Sequence, residues 1–274
     1  MLWEELTADG FAKAVVDCKR TCVLPMGVLE RHGPHLPLGT DMLDAHYVAD
    51  QAARREPAVV FPQWFLGQIY EGKCFPGTIA IPPKLLLEVM LSVIDEIGRN
   101  GFTRIILYNG HGGNDSLVKF LCQCQLAEEK PYQVYSLYYD AGLSEEDRDR
   151  LAREVWTTED HHAGESETSL IMAHRPDLVK TEALAGQIGE ALGRLDHVKP
   201  GYSALGWYAN YPEHYAGDAR KASSEKGKVF AEAMIDGLTR FIRTVKNDTV
   251  AGELSDEFFK RERELRDGRK ERKA

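Results

Sequence analysis

A chain of 274 residues, 43% hydrophobic and 28% charged, can bury the core of one sizeable α/β domain without a disulfide or a structural metal. Its net charge of −9 argues against general affinity for nucleic acid, because neutralising phosphates takes clustered Lys and Arg, and no apolar run approaches the roughly 20 residues of a membrane helix. The first residues lack the basic start and apolar middle of a secretory signal, so we expect a cytoplasmic protein with neither nucleic acid nor a membrane as partner.

Apolar runs of strand length alternate with helical patterns through the first half of the chain. Strands are predicted at residues 21–26, 58–61, 104–108 and 133–139. Helices are predicted at residues 41–54, 83–99 and 115–129, with Thr40 or Asp41 as the N-cap of the first. This alternation is typical of βαβ units, so the sequence predicts an α/β fold with a mostly parallel sheet.

The second half of the chain has fewer regular patterns. It predicts helices at residues 167–173 and 225–246, separated by an irregular stretch at residues 199–224 that can cover a site. We expect pocket walls from residues 207–214 of that stretch and from residues 70–75. The domain would span residues 1–250. A charged tail, residues 251–274, would follow it as a solvated helical or frayed segment or as an electrostatic docking element.

The loop after the first strand collects groups that can bind a metal. Glu30 and His32 are two residues apart, so on an extended strand end both side chains project to the same face. Asp41 follows at the start of the next helix, where it can cap the helix or bridge two metal ions. Carboxylate with imidazole suits zinc, manganese or iron better than calcium. A core histidine or a helix cap explains each residue alone, but the cluster favours a metal site.

A second loop, NGHGGN at residues 109–114, places His111 among three glycines. Glycine lets the backbone approach a ligand closely, so His111 is available as a metal ligand. A phosphate-binding turn is the alternative. The loop lacks the Lys and Ser/Thr of a Walker sequence, which disfavours that alternative.

The third cluster, EDHHAGESETS at residues 159–169, contains two histidines and several glutamates. A polar helix start would explain Glu165 and Glu167, because carboxylates are stabilised near the positive end of the helix dipole. It leaves the pair His161 and His162 unexplained. A histidine beside a metal that is not itself a ligand suits proton transfer, since its pKa lies near neutrality.

Five motifs in order resemble the creatininase (creatinine amidohydrolase) family of metal-dependent amidohydrolases. They are LPMGVLERHGPHLPLGTD at residues 24–41, FPGT at 75–78, NGHGGN at 109–114, HAGESETS at 162–169 and SSEKG at 223–227. The resemblance implies a single three-layer α/β/α domain with a mostly parallel central sheet. It also implies a binuclear metal centre and a homo-oligomer, often a hexamer.

Carried over residue by residue, the resemblance implies a role for each member of the three clusters. Glu30, Asp41 and His111 would hold one metal, and His32, Asp41 and Glu167 the other, so that Asp41 bridges the two. His162 would be the catalytic histidine that protonates the leaving nitrogen, with Glu165 as a further catalytic candidate. His35 and His46 would support the ligands or be structural.

Three positions are candidates for substrate binding, and two of them depart from the creatinine-hydrolysing members. Those members carry a glutamate where this chain has Gly113 and a tryptophan where it has Thr158; the third candidate is Glu159. Creatinine is therefore disfavoured as the substrate. Other branches of the family deformylate a formamidopyrimidine or trim a precursor peptide, and the NGHGGN and HAGE forms look more like theirs.

The sequence thus predicts an enzyme with two divalent ions per subunit, zinc, manganese or iron. The predicted reaction cleaves a non-peptide amide C–N bond, cyclic or acyclic, of a small molecule by means of a metal-activated water. A formamide deformylase or a precursor-peptide peptidase using the same centre is the alternative within enzymes. From another class, a metal-binding or nucleotide-binding protein without catalysis is the alternative.

Overall fold

The structure, a computed structural model, describes residues 1–271 and the side chains of residues 1–268. Four parallel strands form the central sheet, in the order β2-β1-β3-β4. They are β1 (Thr21–Met26), β2 (Val59–Val60), β3 (Arg104–Asn109) and β4 (Gln133–Tyr138). A separate antiparallel pair joins β5 (Asp160–His162) to β6 (Ala216–Gly217).

Helices cover both faces of the parallel sheet. In chain order they are α1 (Ala8–Asp17), α2 (Thr40–Arg55), α3 (Pro83–Arg99), α4 (Asp115–Cys124), α5 (Glu145–Glu154), α6 (Glu165–His174), α7 (Gly206–Asn210), α8 (Ser224–Asn247) and α9 (Val250–Glu271). Alternate strand residues point to opposite faces. Val23 and Ile106 pack with α2 and α8, whereas Leu24 and Leu107 pack with α1, α3 and α4. The result is three layers with an apolar core on each side of the sheet.

All nine predicted strands and helices are present, and their bounds agree within one residue except at the end of α4 and the start of α6. Helix α4 ends at Cys124 and not at residue 129, because the N–H groups of residues 125–127 bond only three residues back, in tighter turns. Helix α6 starts at Glu165, two residues before the predicted start. This early start sets the directions of the carboxylates in its first turn.

The prediction of an N-cap for α2 at Thr40 or Asp41 is wrong. The helix begins at Thr40, its N-cap is Gly39, and no side chain makes the capping hydrogen bond. Thr40 Oγ1 instead donates to the carbonyl oxygen of Pro37, 2.8 Å away. Asp41 therefore lies inside the first turn, where its carboxylate is free to face the neighbouring loops.

The predicted tail is a helix as far as the structure describes it. In α9, Phe259 is buried and Arg263 forms an ion pair with Glu129, in the connection between α4 and β4. Residues 272–274, which belong to the predicted basic tail, lie outside the described residues. Within residues 1–271, no helix has the length and apolar character needed to cross a membrane.

Candidate metal centre

The three predicted clusters meet at the carboxyl end of the parallel sheet. Glu30 and His32 follow β1 and His111 follows β3, while Asp41 and Glu167 lie in the first turns of α2 and α6. Open α/β sheets bind ligands at this edge, because their loops converge there. The fold thus brings together five side chains from three segments that are far apart in sequence.

Asp41 lies between two histidines. Its Oδ1 is 2.9 Å from His32 Nε2, and its Oδ2 is 2.9 Å from His111 Nδ1. Ligand atoms of Glu30, Asp41 and His111 all lie within 4.8 Å of one another, and so do those of His32, Asp41 and Glu167. These are the two ligand sets that the resemblance implies, and Asp41 belongs to both.

The hydrogen bonds of His111 test whether a cation fits. Its Nε2 lies 2.9 Å from the carbonyl oxygen of Gln68 and must donate to it, so a neutral ring has a bare Nδ1. That Nδ1 is 2.9 Å from both Glu30 Oε1 and Asp41 Oδ2. A lone pair facing two carboxylate oxygens is repulsive unless positive charge lies among them. The donor set therefore fits a divalent cation.

The electrostatics of the cluster agree with this interpretation. Burial by itself would lower the pKa of His111, but the carboxylates of Glu30 and Asp41 outweigh it and raise that pKa well above its usual value. Glu30 Oε1 and Asp41 Oδ2 are buried and accept no hydrogen bond of good geometry. Burial raises the pKa of Glu167 to about 8. Each effect reflects a buried site that favours added positive charge.

His32 is oriented in the same way as His111. Its Nδ1 lies 3.3 Å from the carbonyl oxygen of Glu30, which leaves Nε2 to face Asp41. Metal-binding histidines in proteins usually donate their second ring N–H to such a partner, which fixes the tautomer and the ring direction. When neutral, both histidines would therefore present a lone pair to the cluster.

His162 lies at the end of β5, buried against the cluster of candidate metal ligands. Its ring centroid is 4.2 Å from that of His32, and its Nε2 lies 3.0 Å from the carbonyl oxygen of Arg31. Burial lowers the pKa of His162 to about 4, so the ring is neutral near pH 7. One ring nitrogen also lies within 4.8 Å of ligand atoms of Glu30 and His32. The geometry is compatible with proton transfer and with metal binding.

Glu165 is not brought into the pocket. Its buried carboxylate accepts hydrogen bonds from Thr157 N at 2.9 Å and from Thr158 Oγ1 at 3.0 Å, and it pairs with Lys226. Because α6 starts at Glu165, Glu165 and Glu167 are separated by about 200° around the helix axis. Glu167 faces the other candidate metal ligands, so Glu165 faces away from them.

A cavity of about 870 Å³ opens above the cluster. Both segments expected to form its walls, residues 70–75 and 207–214, contribute to the lining, together with Tyr138 and Tyr139. Of the three substrate-binding candidates only Gly113 lines the cavity. Thr158 Oγ1 instead donates a hydrogen bond to Glu165. The side chain of Glu159 is 89% exposed, and its Oε1 lies 3.3 Å from His161 Nε2.

Gly113 is packed too closely against its neighbours to accept a side chain. A Cβ built on it would lie 2.5 Å from His111 Nε2 and 2.5 Å from Gln68 Oε1. Those distances are too short for non-bonded heavy atoms. A side chain at position 113 would therefore have to displace Gln68 or His111.

His214 is a site residue to which sequence reasoning gave no role of its own, only a place at the end of an expected pocket wall. Its Nε2 lies 2.6 Å from Glu30 Oε2, and its ring is almost completely buried beside the cluster. It is 184 positions from Glu30 in the sequence, in a stretch with weak periodicity. A single histidine there belongs to no recognisable motif, and its enclosure by the turn after Tyr211 depends on tertiary packing.

A sequence model of the creatininase family, described as creatinine amidohydrolase, matches residues 4–242 of the 274-residue chain. The chain belongs to the creatininase family. Two solved creatininase structures share its fold. The manganese form of creatininase has a TM-score of 0.75 and 26% identity, covering 90% of this chain and 99% of that one. A creatininase variant of Zn-Zn type has a TM-score of 0.74 and 25% identity, covering 90% and 98%.

Relatives of this creatininase-family chain differ in what they act on. It is 26% identical over 247 residues to the 3-dehydro-scyllo-inosose hydrolase of Thermotoga maritima, and the match covers 85% of this chain and 79% of the relative. It is 28% identical over 260 residues to the creatinine amidohydrolase of Pseudomonas putida, covering 89% and 94%. It is 30% identical over 234 residues to the mycofactocin precursor peptide peptidase of Mycobacterium ulcerans, covering 81% and 84%.

These matches confirm the predicted fold class and the predicted enzyme class. The chain is an α/β/α protein with a parallel central sheet and a member of a family of metal-dependent amidohydrolases. The creatininase structures carry manganese or zinc, and this chain has buried His, Asp and Glu groups that could hold a metal.

Proposed function

We propose that this chain binds two divalent cations per subunit and hydrolyses a non-peptide amide C–N bond of a small molecule, cyclic or acyclic. The observation that supports this most strongly is the pair of three-residue groups that share Asp41. Glu30, Asp41 and His111 form the first metal site, and His32, Asp41 and Glu167 form the second. Zinc and manganese are the first candidates, because structures of relatives contain them, and iron suits the same donors.

The metals and His162 have different roles in the proposed reaction. When bound, the cations supply an acidified water and polarise the carbonyl group of the substrate. The carbonyl of Arg31 holds the proton on His162 Nε2, so Nδ1 is the nitrogen that takes a proton from water and returns it to the leaving nitrogen. The low pKa of His162, about 4, keeps this nitrogen free to accept.

The three substrate-binding candidates have different proposed roles. Gly113 lines the cavity next to His111, where we place the substrate. Thr158 and Glu159 act at a distance, through Glu165 and His161, because neither lines the cavity. For the same reason we assign Glu165 a supporting role, in which it holds residues 157 and 158 against α8.

A peptidase acting on a precursor peptide is the second candidate function. One observation favours it: the relative from Mycobacterium ulcerans, at 30% identity over 234 residues, is a mycofactocin precursor peptide peptidase. A formamide deformylase would use the same metal centre. A binding protein without catalysis would hold the metals and turn over none of these substrates.

One experiment separates these functions. Protein purified without chelator is analysed for metal and then assayed on a panel of cyclic amides, formamides and short peptides, with and without added zinc or manganese. Turnover of one amide class, lost on chelation and restored by metal, supports the proposal and identifies the substrate class. Full activity without metal, or two bound ions with no turnover on any class, would contradict it.

The remaining expectations stay predictions. We propose a homo-oligomer, with a hexamer as the size that the family resemblance implies, and light scattering on the purified protein tests it. A cytoplasmic location also stays a prediction.

A further inference from the structure

A chain of hydrogen bonds runs from the cavity wall to the metal cluster. Trp207, on the short helix α7, has its indole Nε1 3.3 Å from His214 Nδ1. His214 Nε2 in turn lies 2.6 Å from Glu30 Oε2. The three side chains therefore connect the loop that covers the cavity to a residue in the candidate metal centre.

The direction of these bonds is fixed by chemistry. An indole N–H can only donate, so His214 Nδ1 must accept. The proton of a neutral His214 ring is then on Nε2, which donates to the carboxylate of Glu30 in a short charge-assisted bond. This bond occupies Oε2 and leaves Oε1, the oxygen 2.9 Å from His111 Nδ1, directed into the cluster.

The backbone holds His214 in this position. The residue has a φ of +52°, in the left-handed region, which histidine tolerates better than most residues with a Cβ. Its carbonyl oxygen accepts a hydrogen bond of 3.0 Å from Gly33 N, in the turn directly after His32. The loop is thus tied to the segment that carries the metal ligands by both its backbone and its side chain.

His214 is placed to orient a ligand and not to be one. It belongs to none of the three His, Asp and Glu groups whose ligand atoms converge among the described residues.

Trp207 meets the rings of both His162 and His214 edge-on, with centroids 5.6 and 5.9 Å away. Its neighbours Tyr202 and Leu205 are 95% and 64% exposed at the cavity, where a substrate would contact them.

We propose that His214 is a positioning residue that sets the carboxylate of Glu30 for metal binding, and that Trp207 sets the tautomer of His214. This inference rests on the proposed function, since it assumes that Glu30, Asp41 and His111 bind a metal.

The test uses variants that separate the hydrogen bond from packing. His214→Phe keeps a ring and removes the donor, His214→Gln restores an N–H at a similar reach, and Trp207→Phe removes only the indole donor. His174→Phe is the matched control, because His174 Nε2 also lies 2.6 Å from a buried carboxylate, that of Asp44, outside the metal groups. Thermal melting of the metal-free proteins shows whether each variant folds.

Metal-free wild type and variants are titrated with Co²⁺ and Zn²⁺ by calorimetry and visible absorption. His214→Phe should weaken one of the two binding steps about 10- to 100-fold and leave the other near the wild-type value, the usual cost of losing a partner of a metal ligand. His214→Gln should recover most of the loss. Trp207→Phe should give a smaller weakening of the same step, and His174→Phe none.

Kinetics on the best substrate supply a second measurement. At saturating metal, His214→Phe should lower kcat with little change in KM, since the residue contacts Glu30 and not the substrate. A folded His214→Phe protein with wild-type affinity at both steps would overturn the inference, and so would a His214→Gln protein as weak as His214→Phe. Wild-type protein that binds fewer than two ions would instead contradict the proposed function.

Discussion

Asp41 Oδ2 lies 2.9 Å from His111 Nδ1, although the other nitrogen of that ring already donates to the carbonyl oxygen of Gln68. A neutral imidazole cannot donate from both nitrogens, so this contact needs a proton or a cation between the two atoms. Glu30 Oε1 lies at the same distance from Nδ1. A single divalent ion satisfies all three ligand atoms together.

Removing metal should therefore destabilise the protein. Glu30, Asp41 and Glu167 place carboxylates in one cluster, and without cations their repulsion is uncompensated. We expect a lower melting temperature after chelation, and added zinc or manganese should restore it. At a free metal concentration 100 times the dissociation constant, one site contributes about 2.7 kcal/mol. Calorimetric melts with and without metal measure this, and identical melts would contradict two intact sites.

Asp41→Ala should remove both metals and nearly all activity, because Asp41 belongs to both ligand sets. His35→Ala is the control. His35 is equally buried, but its Nε2 bonds to Thr168 Oγ1, 2.7 Å away, and not to the cluster. The His35→Ala variant should keep most of its metal. Elemental analysis of the two purified variants decides this, and equal losses would show that Asp41 has no special position.

His162→Gln should keep both metals and lower kcat about 10²- to 10⁴-fold, the usual cost of losing a general acid or base. A substrate with an activated leaving group should recover part of the loss, since it needs less protonation. Metal analysis beside steady-state kinetics is the measurement. Because a nitrogen of His162 also lies near Glu30 and His32, a variant stripped of metal would make His162 a ligand instead.

Creatinine should be a poor substrate compared with the best member of an amide panel. Position 113 carries no glutamate, and a side chain there would collide with His111 or Gln68. Thr158 offers no ring to stack on creatinine, and such stacking is worth about 0.5 to 1.5 kcal/mol beyond burial. Comparing kcat/KM across the panel tests this expectation. A value for creatinine equal to the best would mean that other residues recognise the ring.

Glu165→Gln and Lys226→Met should act on stability. Glu165 is fully buried and paired with Lys226, whose side chain is 22% exposed. Breaking a fully buried ion pair costs about 3 kcal/mol or more, and the exposure of Lys226 reduces that cost. Both variants should melt at lower temperature and bind metal normally. The double variant should lose less stability than the sum of the losses in the two single variants. A loss of catalysis with unchanged melting in Glu165→Gln would restore Glu165 as a catalytic candidate.

The sequence by itself determined the four strands of the parallel sheet, the helices α2, α3, α4, α6 and α8, and the local part of the site. Glu30 and His32 could be assigned together because they lie two residues apart beyond a buried strand, and a glycine-rich loop marks His111. These are short-range relationships, governed by backbone geometry and by the chemistry of the side chains. The family motifs rest on the same local patterns.

Only the tertiary structure decided which of the remaining polar residues reach the cluster. Glu165 and Glu167 look alike in sequence, but the start of α6 at Glu165 turns Glu167 toward His32 and Asp41 and turns Glu165 toward Lys226. His214 reaches Glu30 because residues 211–217 fold back over the turn after His32. That contact joins residues 184 positions apart, and no local propensity encodes it. It depends on the packing of the loop against the site, which exists only in the folded chain.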